Sequence, residues 1–392
     1  MTDFIPLILL LLIVAIALGS VFKVLGLPDV VGAIIAGVII GPAVFGFITP
    51  TSELSAISLL SLFFIILQIG IESSADIFSR NITFISGFAI TSFVLPFLVM
   101  AVGSYYVFQL PYFEAISVSL AVSIPSISIT SVLLMRSGLI RIEDGQRLLG
   151  AVAMSDVLAF IILVSFHRAP LELLIISVSL IAFVVGVYYL DMFLRATSEH
   201  IIPRLDRLND PEKEAVVFAI IILIGLGISS LFEYIGISFV MGAFFAGLII
   251  HKDSVGEQTF RMVKVTLQRI NSSFFIPLFF SISGVEMTII ALTVLPYLVF
   301  LLIVTIVIGG YAAYKFSQRF MKHISPMVSV GIFGGRGAVG IIIASIALSD
   351  GLMTETYYSV AIFATVIMAI AFTFVFDRSF RNGKLDFSFL KS

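Results

Sequence analysis

Asp156 is the residue from which a chemical reading can start. It stands in Gly150-Ala-Val-Ala-Met-Ser-Asp-Val-Leu-Ala159, inside an apolar run that begins after Gln146. Ten helical residues at 1.5 Å each put it roughly 15 Å along that run, close to mid-bilayer. An ionised carboxylate at that depth costs at least about 2.5 kcal/mol, so such residues are rare and mark ion or proton pathways. One carboxylate can hold a proton or a small cation, but not both. That competition is enough for exchange: if the site crosses the barrier only when neutralised, entry of one species requires exit of the other. The structural alternative is an aspartate that caps a helix break or pairs with Arg336.

Hard cations prefer oxygen ligands. Ser155 precedes the acid, and the run Ser123-Ile-Pro-Ser-Ile-Ser-Ile-Thr130 offers Ser123, Ser126, Ser128 and Thr130. Pro125 frees backbone carbonyls there as well. Ser126 and Ser128 flank the expected break and are favoured, although a membrane serine can instead bond back to its own helix. Arg336 is the second deep charge, 13 residues after His323 and 14 before Asp350. An unpaired arginine at that depth is costly. Two acids could meet it, Asp156 and Glu72 of Gln68-Ile-Gly-Ile-Glu72. Pairing with Asp156 would block an exchange cycle, so Glu72 is the expected partner and Arg336 an architectural charge. Direct tuning of Asp156 by Arg336 is the other reading. The four histidines, at 167, 200, 251 and 323, fall in or beside loops. His251 or His323 could sense pH near neutrality, but nothing in the sequence singles either out.

The elements that must position these residues are membrane helices. The 392 residues are 60% hydrophobic and 12% charged, with a mean hydropathy of +1.18. A soluble domain is usually about 45–50% apolar and about 25% charged; lipid, not a soluble core, can absorb the difference. The net charge of −2 gives no reason to expect a nucleic-acid partner, and no cysteine is present for disulfides or thiol chemistry. No motif calls for a cofactor. Trp is absent, so tyrosines must form any interfacial belt, and Tyr105, Tyr106, Tyr188, Tyr189, Tyr357 and Tyr358 stand near predicted span ends. The first run, Phe4 to Val21, follows Asp3 and lacks a small-residue cleavage site, so it reads as a span and not as a leader.

Spans of ~20 apolar residues are predicted at 4–22, 28–48, 54–72, 82–108, 112–135, 146–167, 170–194, 213–232, 235–251, 271–285, 290–314, 326–348 and 355–377, the weakest being 271–285. With the N-terminus outside, 20 of the 22 basic residues fall on cytoplasmic segments; Arg168 falls outside and Arg336 within a span, which fits the positive-inside rule. The polar stretch Ala196 to Glu212, with Pro203 and Pro211, links two halves. Six spans before and six after the seventh give an odd offset, which makes the halves inverted repeats with an ion site near the midplane. The repeat pairs the fifth span with the twelfth, where Gly331-Ile-Phe-Gly-Gly-Arg-Gly337 should break the helix as Pro125 breaks its partner. Tight packing of small residues is the plainer account of those glycines. The predicted fold is therefore an all-α polytopic membrane protein of about thirteen helices, with two inverted six-helix repeats and two crossing discontinuous helices.

Several runs carry a family resemblance. Leu27-Pro-Asp-Val-Val-Gly-Ala-Ile-Ile-Ala-Gly-Val-Ile-Ile-Gly-Pro42, Gln68-Ile-Gly-Ile-Glu72, Gly242-Ala-Phe-Phe-Ala-Gly-Leu248, Ile276-Pro-Leu-Phe-Phe280 and Gly335-Arg-Gly-Ala-Val-Gly340 resemble, in order and spacing, the monovalent cation/proton antiporter superfamily, in its Kef-type and bacterial sodium/proton branches. The resemblance implies a homodimer in the cell membrane and an elevator-like core of spans four to six and eleven to thirteen. The corresponding partition is 1–81 as first scaffold helices, 82–167 as the first half of the core, 168–212 as linker, 213–289 as second scaffold helices, 290–377 as the second half of the core and 378–392 as a cytoplasmic tail. It also implies that Asp156 is the ion-binding aspartate. The preceding position is commonly Asp in electrogenic members and Asn in electroneutral ones, whereas here it is Ser155. Electrogenic members commonly carry a Lys in the span matching 290–314, and here no basic residue precedes Lys315. Losing one member of a buried ion pair favours losing the other.

The expected function is thus secondary exchange of a monovalent cation, sodium or lithium before potassium, for a proton, one for one. The chain is not expected to be an enzyme, since an intramembrane aspartyl protease needs two facing acids and only Asp156 is deep enough. The rivals are a passive cation channel, for which no carbonyl filter or acid ring is visible, and a sodium-coupled organic-anion symporter, in which Arg336 would bind substrate.

Overall fold

A computed structural model describes residues 4–72, 76–126, 129–130, 133–134, 137–139, 142–165, 210–234, 239–250 and 257–382. The described residues are almost wholly helical. Among the described residues six helices are long and apolar enough to cross a membrane, Ile5–Val24, Ser52–Ile71, Ile82–Tyr106, Ala215–Tyr234, Leu292–Phe320 and Glu355–Phe380. The predicted seventh span, and His167, His200 and His251, lie outside the described residues.

One compact unit comprises Met1–Thr51, Ile77–Leu163 and Phe280–Ser392. It opens with α1 (Phe4–Val24) and α2 (Asp29–Ile40), a hairpin turned at Gly26 with φ +82°. That left-handed conformation favours glycine. Next come α4 (Asp76–Ala89) and α5 (Leu95–Tyr106), joined by a π turn at Ile90–Val94, then α6 (Tyr112–Ser123) and α7 (Glu143–Ser165). Later elements are α12 (Leu295–Val304) and α13 (Gly310–Phe320), joined by a π turn at Thr305–Gly309, followed by α14 (Pro326–Gly334), α15 (Ala338–Ser349) and α16 (Glu355–Asn382). Its core gathers Phe88, Ile129, Leu133, Leu148, Val152, Phe333 and Phe372. The Phe88 ring stands 4.0 Å from that of Phe333 and 4.9 Å from that of Phe316.

The second unit comprises Ser52–Asp76 and Val164–Phe279, with α3 (Ser52–Glu72), α8 (Asp210–Tyr234), α9 (Phe239–Ile249) and α10 (Glu257–Ile270). Gly247 lets α9 approach the α3 backbone at Leu67 and Gly70, where any Cβ would clash. On α8, Val216, Ile220, Leu223 and Leu231 are exposed apolar residues, as a lipid-facing stripe requires.

The weak tenth span is longer than the sequence pattern implies. The helix starts at Glu257 and continues through a π turn at Asn271–Phe275 into α11 (Ile276–Val285). Hydropathy missed its first half because that half is amphipathic and basic. Two of the π turns share a cause. Pro96 and Pro277 each stand two residues past a π turn. Proline lacks an N–H and crowds the carbonyl four residues back, and a widened turn absorbs both defects without ending the helix. The second turn also brings the buried Asn271 amide to the Phe64 carbonyl (2.9 Å) and Gln68 Oε1 (2.6 Å).

Tyr358 departs from the interfacial role expected of it. It is fully buried, and its hydroxyl donates to the Ser283 carbonyl at 3.0 Å. Tyr105 and Tyr106 are exposed as predicted. In the same unit α2 lies backbone to backbone on α11: a Cβ on Gly37 would strike the Ser281 carbonyl oxygen, and one on Gly284 the Ile34 carbonyl oxygen. Gly37→Ala is therefore expected to destabilise the protein by about 1–3 kcal/mol through overpacking. Gly227→Ala, which meets open space, is expected to have little effect. Apparent melting temperatures of the two variants in detergent check this.

Candidate functional site at the helix breaks

Two helices fail in the middle, and they fail where the sequence marked them. The chain leaves α6 at Ser123, runs extended through Ile124, Pro125 and Ser126, and turns helical again at Ile129. Likewise α14 stops at Gly334, and α15 starts only after Gly335, Arg336 and Gly337. The two extended pieces lie side by side: Pro125 and Arg336 form an antiparallel bridge, and the Ser126 N–H donates to the Gly335 carbonyl at 2.9 Å. Each break thereby satisfies backbone groups that the other leaves free, as a non-aqueous environment demands. Glycine is needed beside the contact, because a Cβ on Gly337 would fall on the Ser126 side chain and one on Gly340 on the Ala121 carbonyl. Ser126 also caps the resumed helix. Its Oγ accepts from the Ile129 N–H at 3.4 Å, and its carbonyl accepts from the Thr130 N–H at 3.0 Å.

Asp156 is fully buried on α7, one turn past Val152, which packs in the same core as Ile129 and Leu133. Neither carboxylate oxygen has a hydrogen-bond partner among the described residues. The contrast with other buried acids of this unit is informative. Glu114 accepts from the backbone N–H and hydroxyl of Thr354, both at 2.7 Å. Asp144 accepts from the backbone N–H groups of Lys322 and His323 at 3.1 and 2.9 Å, with Arg147 3.6 Å away. Those acids anchor loops, whereas Asp156 anchors nothing. A buried carboxylate without a partner is expensive unless it is protonated or holds a cation.

The other predicted ligands divide. Ser155 is fully buried, but its hydroxyl donates to the Ala151 carbonyl at 2.9 Å, and the Ser123 hydroxyl donates to Ser119. Both make the local back-bond open to any membrane serine, with lone pairs left to spare. Thr130 Oγ1 is buried and unpartnered. Ser128 lies outside the described residues, as does the side chain of Glu72, so its expected pairing with Arg336 stays an expectation.

Arg336 is fully buried, and no carboxylate lies within ion-pair distance of it among the described residues. The alternative in which it neutralises Asp156 is not the arrangement present. One guanidinium nitrogen, Nη1, donates to the Phe333 carbonyl at 3.0 Å, at the C-terminal end of α14, where a positive charge is favoured. Nε has no partner.

Arg336 and Ser126 line a cavity of about 140 Å³ in this unit, together with the α1–α2 turn and α16. Thr365, Ala369 and Thr373 form its α16 wall at four-residue spacing. Sequence reading missed these threonines; hydroxyls eight residues apart on one face of an apolar span were the available signal. Asp156 is not among the lining residues.

Comparison with known proteins identifies the family. Residues 8–378 match the family model described as "Sodium/hydrogen exchanger, transmembrane". The chain is 29% identical to a Na(+)/H(+) antiporter of Enterococcus hirae, over 96% of this chain and 99% of that one. It is 26% identical to the Na(+)/H(+)-K(+) antiporter GerN of Bacillus cereus, over 89% of each. Among solved structures it resembles the sodium proton antiporter MjNhaP1 of Methanocaldococcus jannaschii, with a TM-score of 0.68 at 15% identity over 96% of both chains, a likeness of fold. With a matched region spanning nearly its whole length, the chain belongs to the transmembrane sodium/hydrogen exchanger family.

Proposed function

We propose that this protein exchanges a monovalent cation for a proton across the membrane, electroneutrally, by competition of the two ions for Asp156. One observation carries the reading: a fully buried carboxylate with neither oxygen partnered among the described residues, in the unit whose two helix breaks pair with each other. A proton or a cation satisfies that carboxylate equally in charge, so either neutral form can cross a low-dielectric barrier that the bare anion cannot. Thr130, Ser126, Ser128 and Ser155 are the oxygen ligands in reach by sequence, and a cation brings with it the incentive to break the Ser155 back-bond. The lack of a basic residue in the stretch from 290 to Lys315 supports one charge moved each way.

The finer features follow from the same reading. Thirteen spans arranged as two inverted six-helix repeats would place the N-terminus outside and the C-terminus in the cytoplasm of a plasma-membrane homodimer. The core, 82–167 with 290–377, would move elevator-like against scaffold helices from 1–81 and 213–289, with 168–212 as linker. Sodium and lithium are favoured, and the potassium in the name of the Bacillus cereus relative makes potassium the ion to compare first. A passive channel or an organic-anion symporter would lack proton counter-flux.

Proteoliposomes with an internal pH dye test the proposal. Sodium or lithium should dissipate an imposed pH gradient in wild type. Asp156→Asn should reduce exchange to the empty-vesicle background while the protein still elutes as a folded species; substantial residual exchange removes Asp156 from the mechanism. Competition also predicts that the apparent affinity for sodium weakens as pH falls, by up to about tenfold per pH unit. A pH-independent affinity would contradict a shared site. Clamping the membrane potential with valinomycin should leave the end point of exchange unchanged, and a strong dependence on potential would rule out one-for-one stoichiometry.

A further inference from the structure

We propose that the cavity beside the helix breaks binds a small monovalent inorganic anion, with Arg336 as its principal partner. Arginine does not lose its proton in proteins, so the fully buried guanidinium carries its charge permanently. It has five N–H donors. Nη1 satisfies one on the Phe333 carbonyl, and among the described residues Nε has no partner and no acid comes within ion-pair distance. A buried charge that no described acid compensates is costly, and the open space that it lines is where compensation can come from.

The surroundings favour an anion there. Ser126 and Gly337, which line the cavity, stand at the starts of two helices, the one resuming at Ile129 and the twelve-residue α15. At the start of α15 the first-turn backbone N–H groups have no intrahelical acceptor and the helix dipole adds positive potential. The Ser126 hydroxyl accepts from Ile129 and keeps its own proton to offer. Thr365 adds a hydroxyl, and the apolar walls, Ile34, Leu133 and Ile341 among them, strengthen any electrostatic contact inside.

Charge balance sets the valence. The charged residues lining the cavity are Arg336, Lys23 and Asp29. Lys23 and Asp29 are both exposed at the α1–α2 turn, and Asp29 already accepts the Val30 N–H at 3.0 Å. Two positive groups and one negative leave one positive charge, which a single monovalent anion cancels. A volume of about 140 Å³ has room for such an ion with some of its water, at about 30 Å³ of liquid volume per water molecule. The site is distinct from Asp156, which does not line it, and the inference does not depend on exchange.

Chloride is the probe. The purified, delipidated protein in detergent is compared in sodium chloride and sodium gluconate at equal sodium concentration, pH and ionic strength. Equilibrium dialysis with radioactive chloride gives occupancy, and the apparent melting temperature gives linkage. Saturable binding of one chloride per chain is expected, with a melting temperature that rises over the same concentration range. Arg336→Gln should abolish the saturable binding. Should that variant fail to fold, Thr365→Val, which keeps the shape, should weaken binding about tenfold through loss of one charge-assisted hydrogen bond. Wild-type protein without saturable chloride binding overturns the proposal. So does binding unchanged in folded Arg336→Gln or Thr365→Val, or a tightly retained anionic lipid that chloride fails to displace. Binding is read without transport, so failure here leaves the exchange mechanism standing, and loss of the Asp156 mechanism leaves this site standing.

Discussion

Everything at the centre of this protein depends on two interrupted helices closing each other's backbone. A break in a membrane helix exposes N–H and C=O groups where no bulk water can meet them. The Ser126–Gly335 hydrogen bond and the Pro125–Arg336 bridge answer that problem with one short antiparallel contact. The residues around it follow from its geometry. Proline ends the α-helical ladder on one side, and glycines on the other permit an approach that a Cβ would forbid. Ser126 does two tasks there, pairing through its backbone and capping the next helix through its side chain.

That contact concentrates partial charges at one depth. Helix C-termini at Ser123 and Gly334 present carbonyls, and the helix N-terminus after Gly337 presents N–H groups. Arg336, between the ends of α14 and α15, responds to both. Its Nη1 donates to Phe333, and its Nε has no partner among the described residues. Asp156 is the opposite case, an acid with no donor among the described residues. Opposite charges that could have neutralised each other form no ion pair.

The buried acids show how such a site differs from architecture. Glu114 and Asp144 fix loop and helix ends with two hydrogen bonds each. Stability explains both without further function. Asp156 cannot be explained that way, since leaving a buried carboxylate unpartnered costs stability. Such groups persist where the cost serves a task.

The sequence by itself determined the membrane class, the family pattern, the place of Asp156 inside an apolar helix and both break sites. Each rests on a local signal: apolar run length, motif order, distance from a polar boundary, and proline or clustered glycine inside a span. It did not reveal that the tenth span is the latter half of a helix beginning at Glu257, because an amphipathic segment has no apolar run to detect. It put Tyr358 at an interface, although that ring is buried against Ser283. Only the tertiary structure decided that the two breaks pair, that Ser155 bonds back to its own helix, and that Arg336 and Asp156 form no ion pair. Those facts are contacts between segments up to two hundred residues apart, or choices among several hydrogen bonds open to one side chain. Local sequence fixes which groups exist at which depth; packing alone fixes which of them meet.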